Sequence, residues 1–477
     1  MRKLSLLLMM ILISSINYAQ DCDCYSNLKW LRTTFEQNDA GFQYVIDQKG
    51  KNAYQLHNQI IEKKLSQINT LKECQELLTE WTEFFRKGHI GVRLISSNNA
   101  KNFGNETFNV NLSKFNTHLE KLSKKTDIEG VWFSSSYKIG IIRDNKNSNR
   151  DYVGFIIKSN NNNWKKNQVK FEISKIDSTK YSMKYYMGDH SLKEINEIKL
   201  VEGKYLVSDF ITFIKIKPEI KINDKSKERY YKCMISEHPF VEKISTNTIL
   251  LRIPSFMYEN KKIIDAVLNE NDSLIKTTKN LIIDLRNNGG GADPSYSNVI
   301  PYLYTNPYRV IGVERLSTKL NNKRIKEGVK NPKTSKKDRE WGIKSLEKLE
   351  KNIGKFVNIG AKININQRDT IFQYPQNIAI LINENCGSTT EQFLLAAKQS
   401  KKVKLFGTTT AGALDISNLN IVKSPCNEFE LIYGTSKSLR IPEMMIDDKG
   451  IQPDYYFDNT IKPYEWINRT IEILNYE

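Results

Sequence analysis

LINENCGSTTEQFLLAAKQ, Leu381 to Gln399, changes its periodicity in the middle. Its first residues close an apolar run, IAILINEN, that reads as a buried strand, and its last ten read as a helix. The turn between them carries Ser388-Thr389-Thr390-Glu391, the Ser-x-x-Glu of a helix capping box. A helix N-terminus leaves N–H groups without partners and carries partial positive charge. Both would stabilise an oxyanion on a carbonyl attacked by the Ser388 hydroxyl. Ser388 is therefore a helix cap, a nucleophile, or both. Gly-x-Ser-x-Gly is absent, so this is not the nucleophile elbow of that name.

On both sides of this stretch the same alternation continues. TILLRIPSF (248–256), NLIIDLRNN (280–288) and VKLFG (403–407) read as apolar strands, and 260–278 and 293–304 as helical. Buried strands alternating with helices indicate an α/β layer with parallel strands. In such layers ligands bind beyond the carboxyl ends of the strands. Two segments fall there: Asn385–Ser388, and Asn287–Gly291 in DLRNNGGG. Three successive glycines permit backbone conformations closed to other residues and let a substrate backbone come close.

Upstream the character differs. In Leu71–Lys87 the apolar residues Leu71, Cys74, Leu77, Leu78, Trp81, Phe84 and Phe85 keep a three-four spacing, so a helix with one buried face is expected, with Gly88 as its stop. His89 follows, and IGVRLI reads as a strand. GVWFSSSYKIGII, YVGFIIKS and QVKFEISKI are short β runs, with Asn160–Asn163 as a turn between two of them. The expected organisation is a signal peptide at 1–19, a helical segment at 20–100, a small β-rich domain at 101–240, and an α/β core at 241–477 with a basic helical insertion at 315–357.

MRKLSLLLMMILISSINYAQ reads as a secretory signal, with Arg2 and Lys3 before a short apolar run and cleavage after Ala19, although Asn17 is not the usual small residue. A soluble exported protein, periplasmic or secreted, is expected, with no stable membrane insertion after cleavage. Export permits disulfides. Of the six cysteines, Cys22 or Cys24 is expected to reach Cys74, and Cys386 to be buried or disulfide-bonded. No metal-ligand spacing occurs, and no cofactor is expected. The formal charge is +18, but Arg315–Lys355 alone holds 14 Lys/Arg against 5 Asp/Glu. That segment has few aromatics to stack on bases, so it reads as a solvated insertion and not as a nucleic-acid site.

A serine nucleophile needs a base. Among His57, His89, His118, His190 and His238, only His89, in RKGHIGVRL, sits in a distinctive context, between a helix stop and a strand.

NLIIDLRNNGGG, IAILINENCGSTTEQFLLAAKQ, LFGTTTAGAL and DDKGIQPDYYF, in this order, resemble the core of the tail-specific, or C-terminal processing, serine peptidases. KGHIGV resembles the histidine motif of their tricorn-like branch. The resemblance covers about 230 C-terminal residues and the stretch around His89. It implies a crotonase-like (ClpP/crotonase-type) α/β peptidase core, extended here by the helical segment and a separate small β domain. It also implies Ser388 as nucleophile, His89 as base, and the N–H groups of Thr389 and Gly290 as oxyanion hole. The larger branch uses a lysine base after the glycine turn; here Ala413 stands at that position. Gly88 stands where the tricorn-like branch often has serine or aspartate. The third member, a carboxylate before G-[IV]-x-P-D, falls on Asp447, with Asp448 and Glu443 as rivals. The implied activity is endopeptidase hydrolysis of peptide or protein substrates through an acyl-enzyme. A catalytically inactive binder on the same fold, and an esterase or amidase with the same triad, stay open. Oligomeric state is not given by the sequence.

Overall fold

The computed structural model describes residues 22–95, 106–123, 125–134 and 137–476. The expected signal peptide lies outside them. Among the described residues no helix is long and apolar enough to cross a membrane.

The chain begins with helices at Cys24–Asn38, Phe42–Lys49 and Lys51–Lys64, followed by α1, Leu71–Glu83. A capping box opens α1: Glu73 N–H donates to Thr70 Oγ1 at 3.1 Å and Thr70 N–H to Glu73 Oε2 at 3.0 Å. Its buried face is Cys74, Leu77, Leu78 and Trp81, packed with Leu31, Phe35 and Phe85. The helix ends at Glu83, four residues before the end its apolar spacing predicts. Phe84 and Phe85 still pack inward, but Arg86 is drawn away by a buried pair with Asp39 and the chain turns. The next strand is β1, Gly91–Leu94.

Eight antiparallel strands, from Gly130–Ser134 to Thr212–Lys217, form a closed barrel whose first and last strands pair. Trp132, Ile139, Phe171, Ile198 and Phe213 fill it. The helix Leu112–Glu120 covers its flank through Phe115 and Leu119 against Phe155.

The core sheet has six strands. The four central strands run parallel: β2 (Thr248–Arg252), β3 (Asn280–Asp284), β4 (Asn377–Ile382) and β5 (Val403–Gly407). Phe240–Lys243 flanks β2 antiparallel and Tyr455–Tyr456 flanks β5 parallel. Side chains alternate between faces. Ile249, Leu251, Ile283, Ile378 and Ile380 enter one apolar cluster, and Leu250, Ile282, Ala379 and Leu381 the other. Both faces are covered by helices, which explains why these strands read as unbroken apolar runs. Helix α2, Thr389–Ala397, follows β4 and buries Phe393, Leu394, Ala396 and Ala397.

A second sheet joins the N-terminal helices to this core. Its strands β6 (Ile416–Lys423) and β7 (Phe429–Ser438) pair antiparallel, and β1 pairs with β7, Gly91 opposite Ile432. Disulfides Cys22–Cys426 and Cys24–Cys74 secure the same junction. The basic segment forms two helices, Lys319–Lys330 and Lys336–Glu350.

Candidate active site

Ser388 follows β4 and opens α2 with φ 56° and ψ −122°, a backbone region that a serine rarely adopts. Its N–H donates to Glu391 Oε2 at 3.1 Å, so half of the capping box is made. The Ser388 hydroxyl lies 3.0 Å from His89 Nε2. The residue that opens the helix thus also meets an imidazole 299 residues away in sequence.

His89 also has a positive φ, 57°, and β1 begins two residues later. Its Nδ1 lies 2.6 Å from the carbonyl oxygen of Ile416, the first residue of β6. A carbonyl only accepts, so Nδ1 carries the proton and Nε2 is left with the lone pair that faces Ser388 Oγ. Burial holds the His89 pKa below its ordinary value, opposed by the Ile416 carbonyl and the charge of Asp447 and aided by Arg86. The imidazole is therefore kept neutral, the form a base requires.

The Asp447 carboxylate hydrogen-bonds the backbone and not the His89 ring. Its Oδ1 accepts the N–H groups of Leu414 and Asp415, both at 2.6 Å, and its Oδ2 that of Ile416 at 3.0 Å. The expected third member is therefore placed one step back. It fixes the backbone 414–416, and the Ile416 carbonyl meets the ring. Burial raises the Asp447 pKa, while the three N–H donors work the other way. The rivals do not replace it: Asp448 Oδ1 accepts Lys87 N–H at 3.3 Å, and Glu443 is exposed.

Glu391, fully buried, ties the site together from below. Besides Ser388 N–H, it accepts the Thr410 hydroxyl at 2.6 Å, Gly412 N–H at 2.7 Å and Ala413 N–H at 2.9 Å. Ala413, at the position of the missing lysine, packs against Gly88: a Cβ added to Gly88 would lie 2.3 Å from the Ala413 methyl. The two departures from the family pattern are thus one contact. A serine or aspartate at 88 has no room while Ala413 stands there.

The glycine loop is anchored by a buried charge cluster. Arg286 Nη2 donates to Asp284 Oδ2 at 2.7 Å, and Arg252 Nη1 donates to the Arg286 carbonyl at 2.8 Å. Burial works against the Asp284 charge, but Arg286 and Arg252 outweigh it and hold the carboxyl below its usual range. Gly290 has φ +106° and lies directly against the nucleophile: a Cβ there would come 2.8 Å from both Ser388 Cβ and Thr389 N. Its N–H is not open, however. It donates to Asn288 Oδ1 at 3.0 Å, and Thr390 Oγ1 lies 2.9 Å from the same oxygen. The sequence motif brought Gly290 to the site but could not show that a side chain two residues earlier occupies its N–H.

Cys386 is a free, buried thiol that donates to the Leu285 carbonyl at 3.0 Å; burial pushes its pKa up to about 12, which leaves no thiolate. Among the described residues no group of three or more His, Cys, Asp or Glu side chains is arranged to hold a metal.

Comparison with known proteins matches residues 247–457 to the model of Peptidase family S41. No curated protein sequence matches. Among solved structures, mature CPAF complexed with lactacystin is 14% identical, with 95% of this chain and 97% of that chain covered at a TM-score of 0.53. Mature CPAF alone gives 14%, 95%, 96% and 0.52. The photosystem II D1 C-terminal processing protease gives 11%, 93%, 95% and 0.38. The likeness to CPAF is one of fold and spans nearly the whole of both chains. The family match holds Ser388, the glycine loop and Asp447 but not His89, which the fold alone brings in. Residues 247–457 are thus similar to peptidase family S41, and that match supports a serine-type peptidase.

Proposed function

We propose that this peptidase is an exported endopeptidase working through Ser388, His89 and a carboxylate, Asp447, on the tricorn-like, histidine-using plan. The observation that carries the reading is the 3.0 Å approach of His89 Nε2 to Ser388 Oγ. Neutral His89 takes the hydroxyl proton as Oγ attacks the peptide carbonyl. The Ile416 carbonyl orients the imidazole through Nδ1–H and stabilises the imidazolium once it forms. Asp447 supports that carbonyl and adds a favourable charge. Thr389 N–H, at the positive end of α2, donates to the oxyanion. Gly290 N–H supplies the second donor by leaving Asn288 Oδ1 for the oxyanion, since a hydrogen bond to a charged acceptor is the stronger of the two. His89 then gives its proton to the leaving amine, and water resolves the acyl-enzyme.

The core of parallel strands is read as crotonase-like, and the barrel as a separate small domain added to it. Export is supported by the two disulfides at the N-terminal junction, which persist in oxidising compartments. Cell fractionation tests this; purely cytosolic protein with reduced Cys22 and Cys74 would refute it.

Two other readings share the geometry: a ligand binder without turnover, and an esterase or amidase. A peptide library and an ester panel, run with wild type and Ser388→Ala, separate the three. Peptide cleavage that disappears in Ser388→Ala is the expected result. Cleavage of esters alone, or of nothing, would overturn the endopeptidase reading.

A further inference from the structure

The base of this site is carried by a segment outside the family match, so something must hold it against Ser388. We propose that Arg86 is the positioning residue for His89, acting as a buried fork that grips the backbone on both sides of the base. This rests on the reading of His89 as base.

Arg86 meets four acceptors at once. Nη1 and Nη2 bond Asp39 Oδ1 and Oδ2 at 2.9 and 2.6 Å; Nε donates to the Gly88 carbonyl and Nη2 to the His89 carbonyl, both at 3.1 Å. Its side chain is 3% exposed and that of Asp39 is not exposed, so no water competes for these bonds. His89 sits at a positive φ that its own side chain does not favour. The two gripped carbonyls are those of the peptide planes on either side of the residue, which fixes that conformation.

Asp39 carries the fork to the core. Its Oδ2 accepts the N–H of Gly434, in β7, at 3.2 Å, and Ala40 N–H donates to the Gly434 carbonyl at 2.9 Å. Gly41 makes the packing possible: a Cβ there would lie 2.9 Å from both Arg86 Nη1 and Ile416 Cγ1. One junction therefore sets the backbone of His89 and abuts the residue whose carbonyl holds its ring. Lysine cannot replace this arrangement, because an ammonium is a point charge without a planar fork.

Several charged groups surround the imidazole. Asp447 raises its pKa and Arg86 lowers it. Asp39 sits behind Arg86, Asp448 accepts the Lys87 N–H, and Glu391 lies beneath Ser388. Loss of the Arg86 charge moves the balance toward the imidazolium, so the acid limb of nucleophile reactivity moves to higher pH.

The test follows the rate of Ser388 labelling by a fluorophosphonate across pH, per folded molecule, in wild type, His89→Ala, Arg86→Lys and the double variant Asp39→Asn/Arg86→Gln. The double variant leaves no unpaired buried charge and so keeps the test open if Arg86→Lys does not fold. Arg86→Lys should label at least tenfold more slowly with little change in the acid limb. The double variant should be as slow and have its acid limb at higher pH. A lower melting temperature with wild-type rate and limb in the folded fraction of either variant would overturn the proposal, since a merely structural role gives that result. Wild-type labelling in His89→Ala would instead overturn the reading of His89 as base.

Discussion

Replacing Asp447 by asparagine distinguishes a carboxylate that touches the base from one that acts through the backbone. Asparagine keeps one oxygen, which can still accept the Leu414 and Asp415 N–H groups now held at 2.6 Å. Its amide nitrogen then faces the Ile416 N–H, donor against donor, where a carboxylate oxygen had accepted at 3.0 Å. A hydrogen bond to a charged partner contributes about 1.5–3 kcal/mol. If that loss is felt wholly in the placement of the Ile416 carbonyl, kcat/KM on the best peptide falls roughly 10- to 150-fold. The pH profile moves as well. Asp447 raises the His89 pKa. Without its charge the neutral imidazole persists to lower pH, and the acid limb shifts downward. A carboxylate in direct contact with the imidazole behaves differently, since its conversion to an amide costs about 10⁴ in kcat. A loss of that size, or an acid limb shifted to higher pH, would refute the indirect role.

Gly88→Ser should lower both the melting temperature and the rate, because its Cβ overlaps the Ala413 methyl; Gly88→Ser/Ala413→Gly should recover much of both, as thermal melts and peptide turnover would show. In the barrel, Lys170 is fully buried among the rings of Trp164, Tyr137 and Tyr185, and burial pushes its pKa down to about 7 while the rings favour its charge. The folded-state pKa lies below the unfolded one, so the cost of Lys170 grows as pH falls from about 10.5 toward 7 and is constant below. Lys170→Met should therefore raise the melting temperature more at pH 6 than at pH 9; an equal or opposite pH dependence would contradict this.

Much of the core was legible because its signals are local. The apolar runs of β3 and β4, the glycines after Asp284 and the Ser-x-x-Glu of α2 each lie within a dozen residues, and the parallel sheet follows from them. The choice of His89 rested on its context and on Ala413, and the structure places Gly88, His89, Ala413 and Ser388 together. Cys24 pairs with Cys74, as one of the two expected alternatives had it. What was not legible depends on contacts between distant segments or on hydrogen-bond direction. Cys22 meets Cys426 across 404 residues. Arg86, just past the end of α1, pairs with Asp39, 47 residues earlier. The barrel closes by pairing strands that begin some eighty residues apart. A motif places Asp447 and Gly290 near the site, but only the folded chain shows that the carboxylate is engaged by three backbone N–H groups and that the glycine N–H already has an acceptor.

Activation of Ser388 by His89 underlies the whole mechanism. Mass-spectrometric mapping of a fluorophosphonate adduct on folded wild-type protein, Ser388→Ala and His89→Ala tests it most directly. One adduct is expected, on Ser388, in wild type, with none on Ser388→Ala and formation slowed by orders of magnitude in His89→Ala. No adduct on folded wild type, an adduct on another residue, or an undiminished rate in His89→Ala would contradict it.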